Sequence, residues 1–285
     1  MRRLLIALAL VLLAAGAPAG DRDRTYTNIG DGDECTNRSF RFNGQRAFVA
    51  EETIEAGNLP SLKVSAENSP VKVTGGNARG YTITVCKAAE LAEDLDDIRV
   101  TVSGGELRAT GPSGNDWAVA YHISAPDHAD VDIESRNGPV SFRDLRGNVT
   151  ARLTNGPVSL DDVDGEFDVS TKNGPVSIDG GAGNIKLRAT NGPLSVRLSG
   201  TSFNGTLDAA TSNGPLTVKV PRAYGSGVVI EARGHGPISC RAAECTNARG
   251  WYDDDDDRPR RFEFGRGAET VHVSTVNGPL TIREE

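Results

Sequence analysis

Aromatic side chains are scarce in this chain, with eight Phe, five Tyr and two Trp among 285 residues. A polysaccharide-cleaving cleft needs clustered acids, usually walled by aromatics and long loops, so this scarcity points away from such an enzyme. Only one long apolar run occurs, at residues 4–15. Nothing comparable follows, which leaves the rest of the chain without a spanning segment. The histidines, His122, His128, His235 and His272, are scattered without the spacing of a metal site. No Cys lies close behind the apolar run, the first being Cys35, so a lipid anchor is not expected. Positive charge is also in deficit, 31 basic residues facing 39 acidic, which argues against a nucleic-acid partner.

The apolar run has the flanks of a secretory signal peptide. Arg2 and Arg3 precede it and Ala17-Pro18-Ala19 follow, which predicts a signal peptide over residues 1–19 with cleavage after Ala19. The mature chain would be exported, periplasmic or extracellular, with no membrane insertion. Without Arg2 and Arg3 it would carry 29 basic and 39 acidic residues, a formal charge of −10. Four cysteines in an oxidising compartment predict two disulfides with three connectivities. The short spacing of Cys240 and Cys245 favours that pair, leaving Cys35 with Cys86.

What the chain does have is a repeat. Asn155-Gly156-Pro157-Val158-Ser159-Leu160 recurs with small changes at Asn137, Asn173, Asn191, Asn213 and Asn277, and at His235 in place of Asn. Successive copies are 18, 18, 18, 22, 22 and 42 residues apart, the mark of stacked equivalent units. Three and five residues after each corner stand apolar pairs such as Val140/Phe142, Val176/Ile178 and Leu216/Val218. Between them falls a small hydroxyl: Ser141, Ser159, Ser177, Ser195, Thr217, Ser239 or Thr281. Pairs such as Val131/Ile133, Phe167/Val169, Ile185/Leu187, Leu207/Ala209 and Val271/Val273 precede the corners. Each unit thus holds two strands, with a second turn expected at Gly147-Asn148, Asp164-Gly165 and Gly183-Asn184. The apolar phase slips by one residue around Val228 and Ile230, where a bulge is expected.

The flanking segments are less regular. Residues 20–57 are charged, with few apolar anchors, and read as an irregular entry. Residues 58–130 read as an N-terminal β cap containing a degenerate corner, Asn68-Ser69-Pro70. Within it, residues 88–97 have helix-forming composition, and Gly104-Gly105 turns a hairpin. Residues 131–285 form the repeat domain. It is interrupted by an inserted loop at 248–261 that carries Trp251, Tyr252, five consecutive aspartates and Arg258, Arg260 and Arg261. The charged ending Arg283-Glu284-Glu285 is read as discouraging pairing at an open end.

Two architectures fit this beat, an antiparallel meander and a parallel β-solenoid. A solenoid stacks like corners about 4.8 Å apart, where Asn side chains can bond as a ladder. A meander would separate them and give no reason to keep Asn at each corner. The expected fold is therefore all-β: a parallel β-solenoid (β-helix) of roughly 18–22-residue coils behind a short antiparallel cap. At the corner, Gly supplies a conformation closed to other residues, and Pro fixes φ.

The run from Tyr121 through Ala125-Pro126, Val131 and Ile133 to Asn137-Gly138-Pro139-Val140, followed by Thr/Ser-x-Asn-Gly-x-Val/Leu units, resembles a bacterial adhesin-like β-strand-repeat family of unknown function. The resemblance covers roughly residues 60–285. The family's corner is more often Asn-Gly-Asp than Asn-Gly-Pro. It implies an exported, right-handed solenoid of the cell envelope without a defined active site.

Site candidates are few. Asp253, Asp254, Asp255, Asp256 and Asp257 could bind Ca²⁺, but consecutive acids lack the spaced ligands of a cage, and the neighbouring arginines would neutralise them. Ser195 belongs to the hydroxyl series and not to a nucleophile elbow. No catalytic residue and no cofactor is expected. The leading reading is a non-enzymatic envelope scaffold or adhesive surface, with a cell-envelope protein or glycan as partner. Two alternatives stand beside it: an accessory protein of envelope-stress signalling that binds through the loop at 251–261, and a polysaccharide-acting β-helix enzyme.

Overall fold

The computed structural model describes residues 35, 40–114, 116–234, 236–242, 245 and 260–285. The expected signal peptide, His235 and the aspartates at 253–257 lie outside them. Among the described residues, two eleven-stranded sheets hold every strand except a small hairpin, Arg41–Phe42 with Gln45–Arg46. No helix among them is long and apolar enough to cross a membrane.

The chain alternates between the sheets. The long-strand sheet contains Ala129–Asn137, Arg146–Asn155, Asp164–Asn173, Ala182–Asn191, Gly205–Asn213 and Glu269–Asn277, each ending on a corner Asn. The short-strand sheet contains Val140–Arg143, Val158–Asp161, Val176–Asp179, Leu194–Arg197, Leu216–Val220 and Leu280–Glu284, each beginning just after a corner Pro. Within either sheet these strands pair in parallel, like residue on like residue: Phe167 faces Ile185, Leu160 faces Ile178, and Asn155 faces Asn173. A meander would pair them antiparallel, so this part of the chain is not one.

Inward-facing side chains from both sheets form one core. Val140, Phe142, Phe167, Val169, Leu187, Val196, Leu207 and Val218 are all buried. Phe142 meets Phe167 edge to face with ring centroids 6.1 Å apart. Alternation specifies this arrangement, because a one-residue slip would turn every apolar side chain outward.

The second turn falls before the glycines expected to make it. Gly147, Gly165 and Gly183 lie inside long strands, in register with one another. The chain reverses instead at Asp144, Asp162 and Gly180, whose φ values are +50°, +50° and +69°. Asp tolerates that left-handed conformation better than most residues, and Leu145 and Val163 then plug the core end. In the longer units, Phe203 and Tyr224 are buried, and Phe203 N donates to Ser226 Oγ at 2.8 Å, tying one long turn to the next. Near Val228 the register shifts as the phase slip suggests.

Four further corrections concern the flanks. Phe48–Gly57, inside the segment read as irregular, is a strand antiparallel to Tyr81–Ala89. Its half-buried face is mixed, Ala50, Glu52, Ile54 and Ala56, of which Ile54 and Ala56 pack against the core. The helix-forming stretch yields only a 3₁₀ turn, Ala92–Asp96, because Ala88 and Ala89 are fully buried at the end of Tyr81–Ala89; packing outweighs propensity there. The inserted loop ends before Arg260, since Arg260–Phe264 pairs antiparallel with Gly227–Ala232. Finally, the chain's last strands are interior: Glu269–Asn277 lies between Gly205–Asn213 and Gly227–Ala232, and Leu280–Glu284 lies between Leu216–Val220 and Ile238–Arg241. Asn277 therefore stacks on Asn213, 64 residues earlier, because the intervening segment runs outside it.

At the N-terminal side Leu62–Ala66 and Val71–Ala78 pair in parallel with Ala129–Asn137 and Val140–Arg143. Arg99–Ser103 and Glu106–Thr110 form the hairpin at Gly104-Gly105, with φ of +57° and +82°. Among the described residues, three of the four edges of the two large sheets are antiparallel strands: Arg99–Ser103, Phe48–Gly57 and Arg260–Phe264.

Candidate functional site

The corner residues come together as a column. Asn155 Nδ2 donates to Asn137 Oδ1 at 2.7 Å, Asn173 to Asn155 at 2.9 Å, Asn191 to Asn173 at 3.0 Å, Asn213 to Asn191 at 2.9 Å and Asn277 to Asn213 at 3.0 Å. The degenerate corner joins in, Asn137 donating to Asn68 at 2.7 Å. Each carboxamide inside the column donates one way and accepts the other, which stacked parallel strands permit because like residues face one another. The column is solvent-facing, Asn155, Asn173, Asn191, Asn213 and Asn277 all being exposed. Asn173→Ala is therefore expected to cost only about 0.5–1.5 kcal/mol. Asp at the same position should cost more, since it cannot donate to Asn155. Thermal unfolding of both variants checks the order.

A second set of bonds beneath the corner escaped the sequence reading. The buried hydroxyls of Thr171, Thr211 and Thr275 donate to the carbonyls of Gly156, Gly192 and Gly214, at 3.3, 2.8 and 3.2 Å. Their signal was a Thr two residues before three of the corner asparagines.

The outer face of the short-strand sheet carries two more columns. Ser141, Ser159, Ser177, Ser195, Thr217 and Thr281 stand in register, half-buried. Six strands place them over about 24 Å at strand spacing. Ser239 extends the row at one end, and Lys72 and His122 at the other. Two residues further along each strand are Arg143, Asp161, Asp179, Arg197, Lys219 and Arg283. Arg143 Nε pairs with Asp161 at 3.1 Å, and Arg197 with Asp179 at 3.0 Å and Glu285 at 2.9 Å. The face presents hydroxyls beside a mixed-charge stripe, both held on backbone that is bonded on either side.

On the long-strand sheet His272 stands between Asp208, at 3.6 Å from Nδ1, and Glu231, at 3.5 Å from Nε2. Arg188 holds Asp208 from the far side and Arg261 reaches Glu231 at 2.9 Å. Arg261 also contacts Glu263 and Glu269, while Arg260 donates to the carbonyls of Gly234 and Gly236. These two arginines, expected to neutralise the aspartate run, are thus engaged by the sheet and the irregular corner. Of the other histidines, His122 contacts Thr74 Oγ1 at 3.3 Å and His128 lies exposed beside Asp127. Among the described residues no group of three or more His, Cys, Asp or Glu could hold a metal ion.

The cysteines reach disulfide distance in the pairing that spacing favoured. Cys35 and Cys86 have Cα atoms 5.4 Å apart and Cys240 and Cys245 6.0 Å, within the usual range. A groove of 670 Å³ lies at the end of the stack, lined in part by Arg222, Tyr224, Phe264, Arg266 and Glu284. Its charges partly cancel, Arg222 pairing with Glu284 at 3.1 Å.

Several carboxylates are held below their ordinary range. Burial opposes this at Asp208, but the hydrogen bond and charge of Arg188 outweigh it. Arg108 lowers Glu106, and Lys219 with Arg197 lowers Glu285. Groups depressed in the folded state make the unfolded chain bind more protons in acid. Stability is therefore expected to be fully present above the ordinary carboxylate values of 3.8 and 4.5 and to fall as pH drops through the folded ones. In alkali the sign reverses: burial raises Tyr121 and Tyr81 and pushes Tyr224 up to about 12, so stability should decline above the ordinary value of 10.0. Denaturant midpoints across pH check both limbs.

No family model and no curated protein matches the chain. Among solved structures it is similar to a candidate cell adhesion protein from Clostridium sporogenes, at 14% identity and a TM-score of 0.34, covering 84% of this chain and 100% of that one. A candidate adhesin from Bacteroides fragilis follows at 12% identity and 0.31, covering 84% and 97%. A candidate lipid-binding protein from Parabacteroides distasonis stands at 11% and 0.31, covering 83% and 96%. Likeness at this level carries no activity from those proteins to this one.

Proposed function

We propose that the chain is an exported, non-enzymatic protein of the cell envelope whose alternating strands make a β-solenoid, and whose short-strand face is a rigid scaffold or adhesive surface. The observation that carries this reading is the in-register row of hydroxyls from Ser141 to Thr281 beside the charged stripe. A repeating row at fixed spacing suits a repeating partner, such as an envelope glycan, since each sugar unit can meet an equivalent set of donors and acceptors. Binding of this kind draws on many weak contacts, each near the strength of one hydrogen bond, so it depends on the row staying straight. The cysteine pairs support export, because such bonds persist in oxidising compartments. The chain then divides into a signal peptide at 1–19, an entry segment at 20–57, a cap at 58–130 and the repeat domain at 131–285.

The test is binding of the purified protein to envelope glycans and isolated envelope fractions, with Ser159→Arg/Ser177→Arg as the comparison. The reading expects binding that is lost in the variant, with unchanged unfolding and no breakdown of the glycan. Binding indifferent to the variant would move the surface elsewhere, and glycan turnover would make the protein an enzyme.

A further inference from the structure

The corners pose a chemical problem that their geometry addresses. Asn followed by Gly is the context in which the next residue's backbone nitrogen most readily attacks the asparagine side chain, because Gly has no Cβ to hinder the approach. The Gly amide nitrogen bonds to the Asn Cγ, the Cγ–Nδ2 bond breaks, and ammonia leaves carrying the amide proton. The resulting succinimide is opened by water to Asp or isoaspartate, with no oxidant or reductant involved. This chain places that dipeptide at six stacked corners, Asn137, Asn155, Asn173, Asn191, Asn213 and Asn277, and again at Asn43 and Asn204.

We propose that the corner column shields these bonds: stacking ties up all three groups that must move for the ring to close, so the asparagines stay intact while the protein is folded and become labile when it unfolds. At Asn155 the carboxamide nitrogen donates to Asn137 and the carboxamide oxygen accepts from Asn173. The attacking nitrogen, that of Gly156, donates to the backbone carbonyl of Asn173 at 2.9 Å. The same three engagements recur at Asn137, Asn173, Asn191 and Asn213, where Gly138, Gly174, Gly192 and Gly214 donate to the next corner's carbonyl at 3.0 to 3.1 Å. Cyclisation at any of them requires local opening of the stack. Asn43 is the internal contrast: it sits with Gly44 at a two-residue turn, φ +52° and +76°, held by one exposed bond to Glu90 at 2.7 Å. Each conversion in an unfolded chain would put a carboxylate where the column needs a donor, so time spent unfolded becomes a lasting mark.

The experiment is peptide mass mapping of the full chain held in mildly alkaline buffer, natively and in denaturant. Conversion at Asn155, Asn173 and Asn191 is expected to be at least about tenfold slower in the folded protein than in denaturant, with a smaller ratio at Asn43. Equal rates in both conditions at the three corners would overturn the proposal. Asn173→Asp supplies a directional arm: it removes the donor to Asn155 Oδ1 but keeps an acceptor for Asn191 Nδ2. Asn155 should then convert faster than in the parent while Asn191 does not. Equal acceleration at both, or none at Asn155, would show that general rigidity and not the column protects them. Should this variant fail to fold, the native-to-denatured comparison decides alone.

Discussion

Gly174→Ala is expected to cost about 3–5 kcal/mol, far more than any single rung of the asparagine column. A Cβ at Gly174 would lie 2.1 Å from the carbonyl oxygen of Gly156 and 2.6 Å from its carbon. Both are main-chain atoms of the adjacent corner, so no side chain can swing aside to make room. The reason for Gly here is not conformation alone. At Gly192 and Gly214 no left-handed φ is needed, yet the added carbon would still fall 2.0 and 2.1 Å from the neighbouring carbonyl oxygen. Gly76→Ala is the control, since nothing lies within 4 Å of its position, and it should change stability by less than about 0.5 kcal/mol. Denaturant midpoints of the two variants give the comparison. A midpoint for Gly174→Ala close to the parent's would mean that the corners are not in contact.

Removal of residues 269–285 is expected to unfold at least the last third of the protein. The segment contributes Val271, Val273, Leu280 and Ile282, all fully buried. At about 2 kcal/mol each they supply roughly 8 kcal/mol, as much as the whole net stability of many domains. Their loss also separates Gly227–Ala232 from the rest of its sheet, because the missing strand is what joins it to Gly205–Asn213. Circular dichroism and hydrogen exchange of the shortened chain provide the check. If Gly227–Ala232 stayed protected, it would have moved into the vacated place and the strand order would be exchangeable.

Much of this architecture is legible in the amino-acid order because the pattern is local and repeated. Val158, Ser159 and Leu160 declare in three residues which side chains point in, and the identity of successive corners favours strands that stack in parallel. The second turn was misplaced because Gly147 and Gly165 suggest a reversal. Their role is close approach within the strand, a Cβ on Gly165 falling 2.1 Å from the Gly147 carbonyl oxygen. The strand at Phe48–Gly57 announces itself weakly, because its half-buried face interrupts Ala50, Ile54 and Ala56 with Glu52. The order in which the last strands enter the sheets is invisible for another reason. Asn277 looks the same to a reader whether it stacks on Asn213 or on His235, and only the path of the segment between decides. The meeting of Asp208, His272 and Glu231 follows from that path, so no spacing along the chain could have shown it.

The antiparallel strands at the sheet edges set a limit on growth. A stack of identical parallel units offers its open face as a template for one more of the same, and nothing in the repeat itself says when to stop. Here Arg99–Ser103, Phe48–Gly57 and Arg260–Phe264 each run against their neighbour, so a further unit in the same orientation would not continue the parallel pairing there. Phe48–Gly57 adds Glu51, Glu52 and Glu55 to the refusal, charge being a common guard on exposed strands. The fourth edge, Ile238–Arg241, is only four residues long and is stapled at Cys240 to Cys245. Among the described residues, parallel pairing in the interior of the two large sheets thus gives way to antiparallel strands at three of their four edges.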